Sequence, residues 1–487
     1  MNLDKNNVII DDRIPLLVDL DGAIVATDTL FETTILFLKK SPFMFFMLFV
    51  WLLRGKHVLK EELSKQTYLN IETLPYRQDV IDYLEQQFEQ GRKIILLTGS
   101  WVDIGTRVAN QFAFINDVIA TDHEKNMTGH AKAQVAREIW GDRLFDYLGN
   151  EKKDLQVWKH ARRAIVVGNK RLAKAAEDVT ELEKFFPVEQ LSPGTWLKAI
   201  RIHQWAKNVL IFVPLLTSHS LFKPEAIVSS LIAYFSFCTV ASATYLLNDL
   251  LDLESDRKHS IKKHRPLAAG KMNILQATLS GIALLSTGII LAILYLDMYF
   301  LLILLGYLTL TILYSFILKH VQTADVISLA SLFTLRITAG AAAIGVPLSF
   351  WLLCFSMFLF LSLAMVKRVS ELIHVEKHSG GELQEVSGRD YLTADIVVLQ
   401  SLGGASGFMS VLVFALYINS DQVTKMYNNP ELLWLVIPVV GYWVMRIWIV
   451  TARGQMDEDP ISFAIRDKQS WLTTMVLLLI FALAVIL

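Results

Sequence analysis

The sequence predicts two fold classes in one chain: an N-terminal α/β domain with a doubly wound parallel sheet and an inserted cap, then an all-α polytopic membrane domain of about nine transmembrane helices. Three observations predict this division. Hydrophobic residues fill 53% of the 487 positions and charged residues 19%, below the roughly 25% charged of soluble domains. Apolar runs long enough for a bilayer begin only in the second part of the chain, whereas short β-branched runs alternate with helical stretches before it. One of the long runs passes straight into Asn248, Asp249, Asp252 and Asp256, and charge beside a membrane segment is by default functional. The net charge of −1 says nothing about a nucleic-acid partner, but the basic residues cluster near apolar runs, and no such partner is expected. Cys238 and Cys354 both lie inside apolar runs, and no disulfide framework is implied.

The N-terminal domain is expected over residues 1–190. Residues 14–18 form a short apolar run ending in Asp19-Leu20-Asp21-Gly22, as a buried parallel strand would, with two aspartates where α/β sheets place ligands. Further strand-like runs at 93–97, 144–148 and 164–167 are separated by helical stretches such as 77–90. The second run leads into Thr98-Gly99-Ser100, Lys132 follows in GHAKAQ, and Asn150 and Asp154 lie beyond the third run. An insert at about 29–74 carries PFMFFMLFVWLL over 42–53, too short to span a bilayer and expected to be interfacial or re-entrant. A buried cap helix or a contact between copies in a homo-oligomer is the alternative. The N-terminus has no signal-peptide pattern, and the domain is expected to be cytoplasmic.

These stations, two aspartates, a Thr or Ser, a Lys and a final acidic pair in order at strand ends, resemble the haloacid-dehalogenase (HAD) phosphatase superfamily across this domain. The resemblance implies that Asp19 is the nucleophile that forms an aspartyl-phosphate and Asp21 the acid/base for the leaving alcohol. Thr98 and Lys132 would hold phosphoryl oxygens, and Asn150 with Asp154 would help Asp19 hold Mg²⁺. Ala23, where the superfamily usually has Thr, and Asn150, where an Asp is common, are departures. A domain kept only for docking is the competing reading.

Leu191-Ser192-Pro193-Gly194 marks the linker to a membrane domain over 191–487. Apolar runs recur at about 206–221, 226–247, 274–296, 299–318, 325–345, 348–366, 395–418, 431–451 and 470–487, which makes about nine spans. Lys207, Asn208, Pro214 and His219 interrupt the first. Basic residues gather after the even-numbered spans: Arg257 to Lys271, Lys319, Lys367 to Arg389, then Arg453, Arg466 and Lys468. The other loops carry little beyond Lys223 and Lys425. Positive-inside bias places the N-terminal domain and the Asp-rich segment in the cytoplasm and the C-terminus outside a bacterial-type inner (plasma) membrane. On a continuing helix Asp249, Asp252 and Asp256 share one face. Such a face repels itself unless a cation occupies it, and Mg²⁺ takes one or two carboxylates plus substrate phosphate oxygens. A diphosphate-bearing small-molecule donor is therefore expected, with Lys262 and Arg265 beside it.

NDLLDLESD followed by RPLAAG, with the recurring spans, resembles the UbiA-type membrane prenyltransferase superfamily over the C-terminal domain. Aromatic-acceptor members carry a second Asp pair after the fourth span, but here Asp325 is followed four residues on by Leu329. RIHQWAKN, Tyr314 to Lys319 with a single acid, LRITAG, KRVSEL and DEDPISFAIRDK are instead similar to the decaprenyl-phosphate phosphoribosyltransferase branch. That branch transfers phosphoribose from phosphoribosyl diphosphate to a polyprenyl phosphate, so a polyprenyl lipid substrate in the membrane is implied. Under this resemblance Asn248 abuts the metal face, Asp325 joins the metal set, and Lys207, Tyr314, Lys319 and Arg336 bind the acceptor side. Lys262, Arg265 and Arg466 would take a ribose 5-phosphate. A polyprenyltransferase acting on an aromatic or other small acceptor, or a transporter with a docking domain, is the alternative.

Overall fold

The computed structural model describes residues 14–189, 191–379, 390–420, 427–456 and 459–486, with 377–379 as backbone only. Arg389 and Lys425 of the charge pattern, and Asp457 and Glu458 of DEDPISFAIRDK, lie outside the described residues. The chain divides into two compact units: Met1–Ile202 with Tyr245–Ile282, and His203–Thr244 with Ala283–Leu487. This differs from the expected boundary at 190/191. The Asp-rich segment packs with the N-terminal part, because its charged side chains find their partners there.

The first unit holds a six-stranded parallel sheet of order β3-β2-β1-β4-β5-β6. The strands are β1 (Leu16–Val18), β2 (Ile94–Trp101), β3 (Asp117–Thr121), β4 (Asp146–Gly149), β5 (Arg163–Gly168) and β6 (Glu181–Pro187). Alternation explains the double cover: Leu16, Val18, Ile94 and Leu96 enter one core layer, and Leu17, Ile95 and Leu97 enter the other. The edge strands β3 and β6 were not among the expected runs, since their half-exposed residues lack a continuous apolar stretch. The order reverses between β1 and β4, so the carboxyl ends of these strands flank the switch point where doubly wound sheets bind ligands.

Between β1 and β2 lie α1 (Thr29–Lys40), α2 (Phe45–Arg54), α3 (Lys56–Gln66) and α4 (Gln78–Glu89). Asp28 caps α1, its side chain accepting from Leu30 N at 2.8 Å. The expected apolar segment is the short α2 preceded by a 3₁₀ turn, and it is buried on one side only: Trp51 packs with Phe37, Leu59 and Leu63. Phe43 and Leu53 are each 89% exposed and Phe49 64%. The helix is therefore buried on its inner side only, and its outer side is open in this chain.

Among the described residues eight helices are long and apolar enough to cross a membrane, from Pro224–Leu251 to Lys468–Ile486, and the chain is a multi-pass membrane protein. The first of the nine expected spans is absent from this set. Ile202–Phe212 is a 3₁₀ helix and Val213–Thr217 a short α-helix containing Pro214. In the second unit this segment lies against the helix Ala324–Ala343, where a Cβ on Gly340 would stand 2.0 Å from the Ile211 carbonyl oxygen. Small residues let backbones approach within a bundle. Gly288 does the same beside Ser236, whose hydroxyl donates to the Gly288 carbonyl at 2.7 Å.

Candidate functional sites

At the carboxyl ends of β1, β2 and β4 the first unit gathers most of the expected phosphatase stations. Asp19 N donates to the Leu148 carbonyl at 3.0 Å, which carries the strand register into the loop. Lys132 lies 2.7 Å from the Asp19 carboxylate, and both are buried. Burial pushes the Asp19 carboxyl up to about 7; the Lys132 ammonium opposes this and the Asp154 charge adds to it. Asp21 accepts from Thr29 N at 2.8 Å and from Ser100 Oγ at 2.5 Å. Burial, then the charge of Asp28, raise it to about 6, against the pull of those hydrogen bonds. An acid/base carboxyl in that range suits proton transfer near neutral pH.

Two stations are engaged by neighbouring groups. Thr98 lies inside β2, fully buried, and its hydroxyl is engaged with Ser100, so Ser100 rather than Thr98 meets Asp21. Asp154 is engaged by its own loop. Its Oδ2 accepts from the backbone of Asn150 and Glu151 at 2.8 Å each, and its Oδ1 from Tyr147. It shapes the loop that presents Asn150. The Asn150 Oδ1 is buried without a hydrogen-bond partner, beside Gly22 at φ +74°. An orphaned amide oxygen is a donor of the kind that a hard cation accepts. Lys60 is a residue the sequence reading passed over. It reaches from α3 to the Gly99 carbonyl at 2.5 Å and Asn126 Oδ1 at 3.0 Å.

The Asp-rich segment is in the same unit, but its carboxylates do not share one uninterrupted face. The helix ends at Leu251, Asp252 is a turn residue (φ −97°, ψ 12°), and a short helix Leu253–Lys258 follows. Asp249 and Asp256 converge: one nitrogen of Arg265 is 3.1 Å from Asp249 Oδ1 and 2.5 Å from Asp256 Oδ2. Arg201 also pairs with Asp249 and stacks over Tyr245. Arg201 adopts φ 53°, a conformation that side chains other than glycine rarely take. It stood in the quoted RIHQWAKN but was not assigned to Asp249, because 48 residues separate them. Asp252 is 3.9 Å from Lys39. Among the described residues no group of three or more His, Cys, Asp and Glu is gathered to hold a metal. The oxygens of Asp249 and Asp256 do meet at a single cationic group, and one or two carboxylates suffice for Mg²⁺ when phosphate supplies the rest.

In the second unit two expected binding residues are enclosed. Arg336, 4% exposed, donates to Asn208 Oδ1 at 2.8 Å, to the Leu332 carbonyl and to Tyr307 at 3.1 Å. An arginine inside a span needs such partners, and here the helices supply all of them. Asp325, expected in the metal set, is fully buried. Arg368 pairs with both of its oxygens, Tyr314 donates to it at 2.9 Å, and Glu371 accepts from Arg368 at 2.5 Å. Lys207 pairs with Asp459 at 2.5 Å. Arg466 is exposed, and Lys262 and Lys319 are half-exposed.

Residues 209–376 match the family model described as the UbiA prenyltransferase family. The uncharacterized protein y4nM of Sinorhizobium fredii is 34% identical over 466 residues, 95% of this chain and 89% of its own length. The nodulation protein NoeC of Azorhizobium caulinodans is 31% identical, covering 57% of this chain and 88% of its own length. The decaprenyl-phosphate phosphoribosyltransferase of Corynebacterium glutamicum is 35% identical over 210 residues, 42% of this chain and 63% of that protein.

Proposed function

Because residues 209–376 carry a UbiA prenyltransferase family domain, we propose that this chain is of the phosphoribosyl-transferring kind: it moves 5-phosphoribose from phosphoribosyl diphosphate to a polyprenyl phosphate. The likeness to the corynebacterial phosphoribosyltransferase supports this donor and acceptor. The observation that carries the reading is the convergence of Asp249 and Asp256 on one cationic group, with Arg201 alongside. Mg²⁺ bound by these carboxylates would carry the charge of the departing diphosphate. Arg201 and Arg265 have the forked guanidinium geometry that recognises phosphate oxygens. Because the acceptor is already an anion, the chain needs cations to position it and no strong base. Lys319 is assigned to that task, with Lys262 and Arg466 for the ribose 5-phosphate.

The sheet domain is assigned as a HAD-like phosphatase that removes this 5-phosphate, with Asp19 as nucleophile, Asp21 as acid/base and Lys132 on the phosphoryl oxygens. The exposed aromatic side of α2, flanked by exposed Lys39, Lys40, Arg54 and Lys56, suits anionic head groups and would bring the domain to lipid-linked sugar. The sheet domain and Asp-rich segment are assigned to the cytoplasmic side and the C-terminus to the outside, which requires one more crossing than the eight long helices. Ile202–Thr217 has the reach for it: a 3₁₀ rise of about 2.0 Å and an α rise of about 1.5 Å per residue add to roughly 30 Å.

An aromatic acceptor is the second reading. It is disfavoured because a second Mg²⁺ position would call on Asp325, whose oxygens Arg368 and Tyr314 already occupy. The test uses the purified full chain in detergent with phosphoribosyl diphosphate, Mg²⁺ and a polyprenyl phosphate. Diphosphate release that disappears in Asp249→Asn is expected. Activity on 4-hydroxybenzoate with a polyprenyl diphosphate, and none on phosphoribosyl diphosphate, would overturn it.

A further inference from the structure

The helix α1 touches both sites of the first unit. At its start, Thr29 N donates to Asp21 and the Thr29 hydroxyl meets Ser100 at 2.9 Å. Three residues on, Glu32 receives two bonds from Arg257, at 2.6 and 3.2 Å, with side chains only 5% and 7% exposed. Near its end Lys39 approaches Asp252. Arg257 also donates to the Ala268 carbonyl at 3.4 Å, so the same guanidinium ties the short helix after Asp252 to the loop that returns from it. Two further contacts fasten this segment to the insert and to the loop that leads into it: Asn70 donates to Glu254 at 3.3 Å, and Gly270, at φ +68°, comes so close to Ala26 that a Cβ there would lie 2.8 Å from the Ala26 Cβ.

We infer that Glu32 is a positioning residue for the transferase: through Arg257 it sets the place of Asp252, Asp256 and Arg265 relative to Asp249. A buried ion pair contributes little net stability over an apolar pair of the same shape, and its best attested use is to fix register. Register is what this segment needs. Asp249 ends the long helix, while Asp256 and Arg265 lie beyond the turn at Asp252 and meet it only if the short helix keeps its orientation. Glu32 is itself held by the Thr27 hydroxyl at 2.7 Å, so the anchor is fixed on the insert side. A pocket lined by Leu36, Lys39, Asn70 and Leu250 adjoins the pair, and on that side close packing does not do the same work.

The inference rests on the transferase reading for its activity readout, and hydrogen exchange tests it separately. The full chain in nanodiscs, without substrate, is compared with Glu32→Ala and Glu32→Gln. Faster amide exchange over 252–270, with strand β2 still protected, is expected for both. In the diphosphate-release assay the Mg²⁺ needed for half-maximal rate should rise on the order of tenfold, as for other outer partners of metal ligands, with the rate at saturating Mg²⁺ kept. If β2 also loses protection in Glu32→Ala, the Gln variant, which keeps the side-chain volume, decides by the same criterion. Unchanged exchange over 252–270 overturns the positioning role. A wild-type chain that releases no diphosphate sinks the transferase reading instead and leaves the exchange result to stand alone.

Discussion

Arg368 and Asp325 show why an ionisable residue inside a span need not be a ligand. Each is at most 1% exposed, and together with Tyr314 and Glu371 they satisfy one another. Removing one member leaves an uncompensated buried charge, which typically costs about 3–5 kcal/mol. Arg368→Leu should therefore lower the melting temperature of the detergent-solubilised chain sharply. The double variant Arg368→Leu with Asp325→Leu should recover much of the loss. Equal loss in both, read by scanning fluorimetry, would mean that the pair is not what holds these helices. Asn150 illustrates the opposite case: its amide oxygen is buried with nothing to bond, and its position was legible from the strand-end pattern. The hydrogen bonds to Asp154 were not legible, because they come from backbone amides that point at it only after β4 turns.

At the scale of elements, α2 carries the clearest prediction. Its inner side is fixed by the contact between Trp51 and Phe37, with ring centroids 5.2 Å apart, while Phe45, Phe46 and Phe49 stand exposed. A contiguous apolar side on a short helix marks a lipid or partner surface. Phe49→Glu should slow dephosphorylation of a lipid-linked sugar phosphate in vesicles and leave hydrolysis of a small soluble phosphate ester unchanged. Equal rates on both substrates would detach α2 from the membrane role. The segment Ile202–Phe212 teaches a different lesson. Its apolar content reads as a span, yet Pro214 and the buried Asn208, which accepts from Arg336, turn it into an irregular element.

At the scale of the whole molecule, one chain carries a UbiA-family domain and a strand-end cluster of Asp19, Asp21 and Lys132, proposed above as a phosphatase site. Tethering keeps an intermediate at high effective concentration without any added contact. Asp19→Asn should accumulate the phosphorylated lipid-sugar while leaving its formation unslowed, visible by mass spectrometry as one extra phosphate. If wild-type chain leaves that phosphate in place with Mg²⁺ supplied, the sheet domain is a docking module and Ala23 and Asn150 are signs of lost activity.

What the sequence determined by itself is what neighbours along the chain encode. Alternation at 16–18 and 94–97 specifies strands with two covered faces, long apolar runs specify membrane helices, and the placing of Asp19, Asp21, Asp249 and Asp256 near the ends of elements marks candidate sites. Periods of 2 and 3.6 residues are local, so they survive without knowledge of the fold. Only the tertiary structure decided which charges meet. Arg201 finds Asp249 across 48 positions, and Arg257 finds Glu32 across 225. It also decided that the helix breaks at Asp252, and that Asp325 and Arg336 are enclosed while the Asn150 amide oxygen is not satisfied. Ion pairing is short-ranged and is set by where the backbone returns in space, and no pattern within a helical turn or a strand carries that information.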